Sequence, residues 1–497
     1  MKIINEQKQD TMILATLINN NNPNYKKENK ITMMLIFNPI LIMKNKFKTV
    51  TLTCAILAIV GFMTSCNNED VPGNKTNPSP EGEGEATWTS LSISFPKTEA
   101  PVLRAAADDD YETAIHSVDV FIYSGDDAHY SSHTRLSRSD FQDPVTSGNN
   151  VVYTSKPSTI PTTTGEKKIF VGVNLPDTSA LIGNPAVELK NVARTFNNIS
   201  SLVSTTNGIT MTNVGDSLVT NTFTNVAANN VVNATVQRMA AKVTVAEASN
   251  INVEGVEGAI IGNLKWTINN FNTKSFLLQN IGSDGSVIDP NYLEGEYVAG
   301  DFVAATANST FLTVQRGAGS SLTPSYANLD PSYTTENTSD LQRKKEITSV
   351  LIRAQFIPRN IIVQQNGSFV NATTARTSAA TFYSLIVMNG AIPEIAFFED
   401  SSTAAAYASL KNVNSNDIQT YQDGYCYWDL FLHDGTYNFQ VVRNNYYRCA
   451  ITRIIFPGRS TVTIPSPDDK PDVPTTISAD ITVIPWTEIA LNAELLP

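Results

Sequence analysis

The residues with the clearest chemistry in this 497-residue sequence are its cysteines. Cys66 ends the stretch MKNKFKTVTLTCAILAIVGFMTSC. This begins at Met43 with Lys44, Lys46 and Lys48 close behind, continues as an apolar run from Val50 to Met63 and closes on small residues. That is the three-part layout of a secretory signal, too short to read as a membrane-spanning helix. Met63-Thr64-Ser65-Cys66 resembles a lipobox, in which the signal is cut before the cysteine and the sulfur takes up diacylglycerol; methionine stands where leucine is usual. The alternative is an ordinary cleavable signal followed by an incidental cysteine. Cys54 goes with the leader, so Cys426 and Cys449 are the thiols left to the folded region. They could pair in an oxidising compartment or stay buried as two free thiols, and their separation in sequence does not decide which.

Reaction chemistry is harder to assemble. The histidines are His116, His129, His133 and His433. His129 and His133 have the spacing of a helical pair, but GDDAHYSSH reads as loop and offers no neighbouring Glu or third ligand. His433-Asp434-Gly435 reads as a strand-end turn, and Cys426 near it has no nucleophile motif around it. Asp108-Asp109-Asp110 and Asp468-Asp469 lack the alternating ligands and turn glycine of a calcium loop. Phosphate-binding glycine loops and a GxSxG elbow are missing from the sequence as well. No enzyme, metal site or cofactor is therefore expected. Trp266, Trp428 and Trp486 sit in alternating contexts where burial is the ordinary role of an aromatic.

The elements that must carry these residues are strands. Charged residues make up only 16% of the chain, and neutral polar side chains must cover much of its surface. The net charge is −12. Residues 1–65 hold eight lysines against three acidic residues, so the remainder carries −17 and repels nucleic-acid phosphates. Residues 66–86 are polar, acidic and rich in Pro and Gly, a tether with nothing to bury. Then TWTSLSISF alternates, with Thr89, Leu91, Ile93 and Phe95 on one face. After a break at 97–110 the strand signals recur to the end, among them HSVDVFIY with Val118, Val120 and Ile122 on one face, KKIFVGVNLP, AAKVTV, NLKWTINNF, EITSVLIRAQFIP and CAITRIIF. Ser179 to Val192, Ser339 to Glu346 and Ser401 to Asn412 alone look briefly helical.

This pattern predicts an all-β chain of two tandem antiparallel β-sandwiches. The expected segments are a leader at 1–65 and a tether at 66–86. A segment with the first strand follows at 87–104, then sandwiches at 105–250 and 251–465, and a spacer and tail at 466–497. Within the leader, 43–65 is the signal proper, and 1–42 is an upstream mis-start or an extra membrane segment. The tail alternates twice: Ile477, Ala479, Ile481 and Val483 form one apolar strip, and Ile489, Leu491, Ala493 and Leu495 a second.

KKIFVGVN (167–174), GITM (208–211), VQRMAAKVTV (236–245), LKWTINN (264–270), VLIRAQFIP (350–358), TFY (381–383), VVRNNYYRCAITRI (441–454) and ITVIPW (481–486), in this order behind such a leader, resemble the major fimbrial subunit family of Bacteroidales, the type V pilins. The likeness is greatest to the shaft subunits of short fimbriae and covers nearly all of 43–497. Cys426 and Cys449 are not among the residues of the family pattern. Asn67-Asn68-Glu69-Asp70 resembles the acidic signal that sends lipoproteins of these bacteria to the cell surface.

The resemblance implies transthyretin-like, Greek-key sandwiches and a polymer of identical copies with accessory fimbrial subunits. The precursor would be lipid-anchored at the outer membrane, and the product a fimbrium on the cell surface that supports adhesion. It also implies cleavage by a trypsin-like or arginine-specific protease in the loop after the first strand, here between Arg104 and Ala105. The strand with Leu91, Ile93 and Phe95 would then leave and a neighbour's tail fill the groove. A tail strand folded back on its own domain is the alternative for 477–495. A tip subunit, an anchor subunit and a surface glycan-binding lipoprotein are the alternatives for the whole chain.

Overall fold

The computed structural model describes residues 84–485 apart from 97–110, 126–127, 191–192, 205, 295–297, 317–328, 434–437 and 472–476. Cys66, Arg104, Ala105, Ile489 and Leu491 lie outside the described residues, and Ile477–Pro485 is described as backbone. The fold is all-β, built from sandwiches, as the alternating segments predict. Its sheets are mixed rather than purely antiparallel. The first strand, Ala86–Pro96, runs parallel to Val231–Arg238, and Ala240–Glu254 runs parallel to Asn445–Ile455.

The N-terminal region is built on strands in the order His129–Ser137, Ser117–Ser124, Gly165–Val173, Met211–Asn213, Val231–Arg238, Ala86–Pro96, Asn150–Thr154, Val145–Ser147. Val118, Val120 and Ile122 share a core with Leu91, Ile93 and Phe95, as their spacing predicts. Phe121 and Tyr123 on the opposite face are buried too, in a second core under Leu175, Leu181 and Leu189. The middle strands are thus covered on both faces. GDDAHYSSH is not a loop throughout, because His129 and His133 lie on the edge strand. There His133 Nε2 meets the buried Asp119 carboxylate at 2.9 Å and its ring stacks on Phe121.

The C-terminal region packs two sheets around Trp266, Trp428 and Phe356. One holds Ala240–Glu254 between Ser332–Thr335 and Asn445–Ile455, with Ile477–Pro485 on the outer edge. The other orders Leu312–Thr313, Ile260–Asn269, Ser349–Ile357 and Tyr425–Phe431. The division expected at 250/251 falls inside the strand Ala240–Glu254, and the chain changes sheets at Met239 instead. The glycines that suggested a boundary serve a turn between the two sheets of one sandwich. Gly255 has φ +77° there, and a Cβ on it would stand 2.4 Å from the Phe456 ring.

Of the three stretches with helical patterning, Ser401–Leu410 is a helix, capped by Asp400, which accepts from the Thr403 amide. Ser179 to Val192 makes two short 3-10 turns, and Ser339 to Glu346 makes no helix.

A buried polar cluster ties the two regions together. Arg443 and Glu336 are both fully enclosed, and Arg443 Nη2 meets Glu336 Oε1 at 3.2 Å. Arg443 also donates to the Phe276 and Leu277 carbonyls and to Ser275 Oγ. The same loop is gripped from the N-terminal sheet, since Thr212 Oγ1 donates to the Leu277 carbonyl at 2.7 Å and Gln237 reaches Gln279. Removing one member of an enclosed ion pair strands the other's charge. Arg443→Met is therefore expected to cost about 3–5 kcal/mol in urea unfolding, and Arg443→Met combined with Glu336→Leu to recover most of that loss.

Candidate functional site

The first strand lies within the N-terminal sheet, not at its rim. Residues 90–94 pair with 231–235 on one side, and residues 92–96 with 150–154 on the other. At its start the strand turns to pair with Ile160–Thr163. Thr89, Leu91, Ile93 and Phe95 have no exposed surface, while Ser90, Ser92 and Ser94 are half-buried on the outer face. The alternation read from the sequence is thus the one the fold uses. Without this strand the sheet would have a groove between Val231–Arg238 and Asn150–Thr154, open onto the apolar core that Val118, Val120 and Ile122 share with Val232, Ala234 and Val236.

Polar side chains hold the strand along its length. Near its start the buried Asn230 donates to Thr87 Oγ1 (3.2 Å) and the Trp88 carbonyl (3.0 Å). The Asn230 carbonyl in turn accepts from Thr89 Oγ1 and the Ser90 amide. In the middle, where the partner strand changes, Ser155 Oγ accepts from the Leu91 amide at 2.9 Å and the Ser155 amide donates to the Leu91 carbonyl at 2.8 Å. At the far end the buried Arg238 donates from Nη2 to the Pro96 carbonyl at 2.8 Å. Its Nε donates to the Glu112 carbonyl at 3.1 Å.

One guanidinium therefore holds both flanks of segment 97–110, which contains Arg104. Beyond this segment the chain is fixed at once. The Glu112 carboxylate is bound by Lys242 Nζ at 2.8 Å and by the Tyr333 hydroxyl, which pairs with Tyr111.

Sequence reasoning missed Asn230, Ser155 and Arg238. For two of them a signal was present. The inward stripe of Val231–Arg238 reads Asn230, Val232, Ala234, Val236, Arg238, with polar residues at both ends of an apolar row. Fully buried arginine is rare unless partnered, so an inward-phased Arg marks a carbonyl or carboxylate to be bound. The matched fragments KKIFVGVN and GITM also acquire a physical reason. Asn174 sits at φ +53°, accepts from the His116 amide at 2.8 Å and donates to the Ala114 and Ile209 carbonyls. A Cβ on Gly208 (φ +73°) would stand 2.5 Å from Asn174 Nδ2.

The tail strand Ile477–Pro485 lies antiparallel on Asn445–Ile455, Ile481 opposite Cys449 and Pro485 opposite Asn445. In this structure the tail completes its own sandwich, the alternative left open by the sequence. Cys426 and Cys449 are free, both buried, and on different sheets, so the disulfide is not formed. Burial pushes the Cys449 thiol up to about 12 and the Cys426 thiol well above its ordinary value.

Two stretches match known families. Residues 89–259 match the family described as major fimbrial subunit protein (FimA). Residues 419–492 match that described as major fimbrial subunit protein type IV, fimbrillin, C-terminal. Among solved structures the chain is similar to a fimbrilin of Porphyromonas gingivalis, at 14% identity and a TM-score of 0.41, with 80% of this chain and 98% of that one covered. It is also similar to the tip fimbrial protein Mfa3 of the same organism, at 15% identity and a TM-score of 0.36, covering 80% and 99%. A fimbrial assembly protein of Parabacteroides distasonis is similar at 11% identity and a TM-score of 0.33, covering 74% and 92%. No curated protein sequence matches.

Two outcomes follow from the packing. In the intact chain Ile93→Ala should lower unfolding free energy by about 2–5 kcal/mol, while Ser92→Ala on the outer face stays within about 0.5 kcal/mol, both read by urea denaturation. A thiol reagent at about pH 8 should label neither Cys426 nor Cys449 in the native protein, and both after unfolding in urea.

Proposed function

The chain belongs to the major fimbrial subunit family, and on that premise we propose that it is a shaft subunit, exported as a lipoprotein through Cys66 and polymerised by strand exchange. The observation that carries this reading is the place of the first strand. A segment from the extreme N-terminal end of the fold fills an interior position of a sheet, and it is joined to the rest through one loop with a single arginine. Arg104 is the scissile residue in this reading. Water adds across the Arg104–Ala105 peptide bond, leaving a new carboxylate on Arg104 and a new amine on Ala105.

Energetics explain why a cut is needed. Burying Leu91, Ile93 and Phe95 contributes roughly 5–9 kcal/mol before any ladder bond is counted. While the loop is intact that strand re-docks at a high effective concentration; once cut it becomes a separate peptide that dilutes away. The tail supplies the replacement by β-strand addition, with alternate side chains entering the floor and the backbone completing the ladders on both edges. In the precursor the tail rests on its own sandwich, so release of the tail is the second half of the exchange. The lipid leaves with residues 66–104, and Cys66 becomes a transport handle rather than a lasting anchor. The partners are further copies of the chain, accessory fimbrial subunits and the processing protease, and the product is a fimbrium on the cell surface.

The chain from Asn67 onward, treated with trypsin, should yield a new N-terminus at Ala105 and ladders of multimers in unboiled gels. The same chain lacking 475–497 should be cut at the same bond and give no ladder. Cleavage at another bond as the productive event, or ladders that survive the deletion, would refute strand exchange through the tail.

A further inference from the structure

Arg238 stands where the departing strand meets the body that stays. Its guanidinium is fully buried and faces backbone carbonyls from two segments: Pro96, the last residue of the first strand, and Glu112, the first anchored stretch after the loop. If the chain is cut between them, the bond to Glu112 persists, because Glu112 is held independently by Lys242 and Tyr333. The guanidinium therefore keeps its orientation while its partner at Nη2 becomes the end of a separate peptide.

We propose that Arg238 is a carbonyl latch, which retains the nicked first strand in its groove until a replacement strand reaches the same point and offers a backbone carbonyl of its own. The proposal rests on the strand-exchange reading and adds to it the residue that governs when the old strand leaves and whether the new one has filled the groove to its end. Two physical arguments carry it. A hydrogen bond from a charged donor in an enclosed site is worth more than an ordinary ladder bond, and an occupant that covers the site without offering a carbonyl leaves the charge desolvated with nothing in return. The groove with its end empty is thus a poor state, and a strand that stops short gains little.

Position matters as well. Any register that keeps apolar side chains inward places some carbonyl opposite Nη2, provided the strand is long enough. Arg238 therefore reads length, while the alternation reads phase. In the first strand's sense, the strip Ile477–Val483 with Val483 in the place of Phe95 would set Ile481 and Ala479 at the Ile93 and Leu91 positions. The Ile484 carbonyl would then face Arg238. A slip of one residue turns Asp480 and Thr482 inward.

The test uses the full chain from Asn67, nicked by an arginine-specific protease, and two synthetic peptides with amidated ends, residues 86–96 and residues 86–95. The shorter peptide lacks the Pro96 carbonyl. In the unsubstituted protein the longer peptide should occupy the groove with about ten- to a hundredfold slower dissociation. In Arg238→Met that preference should vanish and the nicked strand should be lost faster by a similar factor. Arg238→Lys, which keeps the charge but cannot fork to two carbonyls, should fall between. Equal dissociation of the two peptides from the unsubstituted protein overturns the latch, and this comparison stands even if Arg238→Met fails to fold. A preference that persists in Arg238→Met overturns it too. If the protease leaves the 97–110 loop intact, or the tail never displaces either peptide, strand exchange itself falls and the latch falls with it. Cutting and exchange that proceed without any peptide preference reject the latch alone.

Discussion

The rest of the structure depends on one pairing, that of Ala86–Pro96 between Val231–Arg238 and Asn150–Thr154. It joins two halves of a sheet that otherwise face each other across an apolar floor, and it brings Leu91, Ile93 and Phe95 into the core with Val118, Val120 and Ile122. That strand is reached through a long connection, segment 97–110, and its ends are secured by Asn230 and Arg238, which flank a single neighbouring strand. The strand is firmly held yet topologically peripheral, which is the combination a replaceable element requires.

The junction between the two sandwiches sits against the same point. Arg238 ends the last strand of the first sheet, Met239 is buried at the crossing, and Ala240 opens the central strand of the second. Glu112, Lys242 and Tyr333 bind the chain just after segment 97–110 to that second sheet, and Arg443 with Glu336 grips the loop that Thr212 and Gln237 touch from the first. Three of these bonds cross the boundary, Thr212 to the Leu277 carbonyl, Gln237 to Gln279 and Lys242 to Glu112, while the Arg443–Glu336 pair lies within the second sandwich. Loss of the first strand would thus open a groove in a body still braced by a separate set of contacts.

Much of this was legible in the sequence because strand alternation is local. Thr89 to Phe95 announced its inward face, and the Trp266 and Trp428 contexts announced burial. What was not legible depended on partners far away in the chain. Nothing near Glu112 reveals that Lys242 will bind it, 130 residues later. The glycines near 255 read as a boundary because turns between domains and turns between the sheets of one sandwich use the same residues. Only the close approach of Phe456 tells them apart. The tail's resting place was undecidable for a related reason, since an alternating strip fits its own open sheet edge and a neighbour's groove alike.

That ambiguity has a physical consequence for the groove. Its two walls run in opposite directions, because the first strand is parallel to one neighbour and antiparallel to the other. A strand entering in either sense would meet one parallel and one antiparallel wall, and either ladder can be completed. Backbone pairing therefore cannot choose the direction, the register or the identity of the occupant. The apolar floor selects only for period-two alternation, a property the tail shares with many segments of this chain. If strands exchange here, the polar groups along the groove would set where an occupant begins and ends: Asn230 at one end, Ser155 at the change of partner, and Arg238 at the other end. In a sheet so tolerant of strands, the few polar side chains that the apolar stripe admits would fix the extent of an occupant, and the apolar stripe its phase.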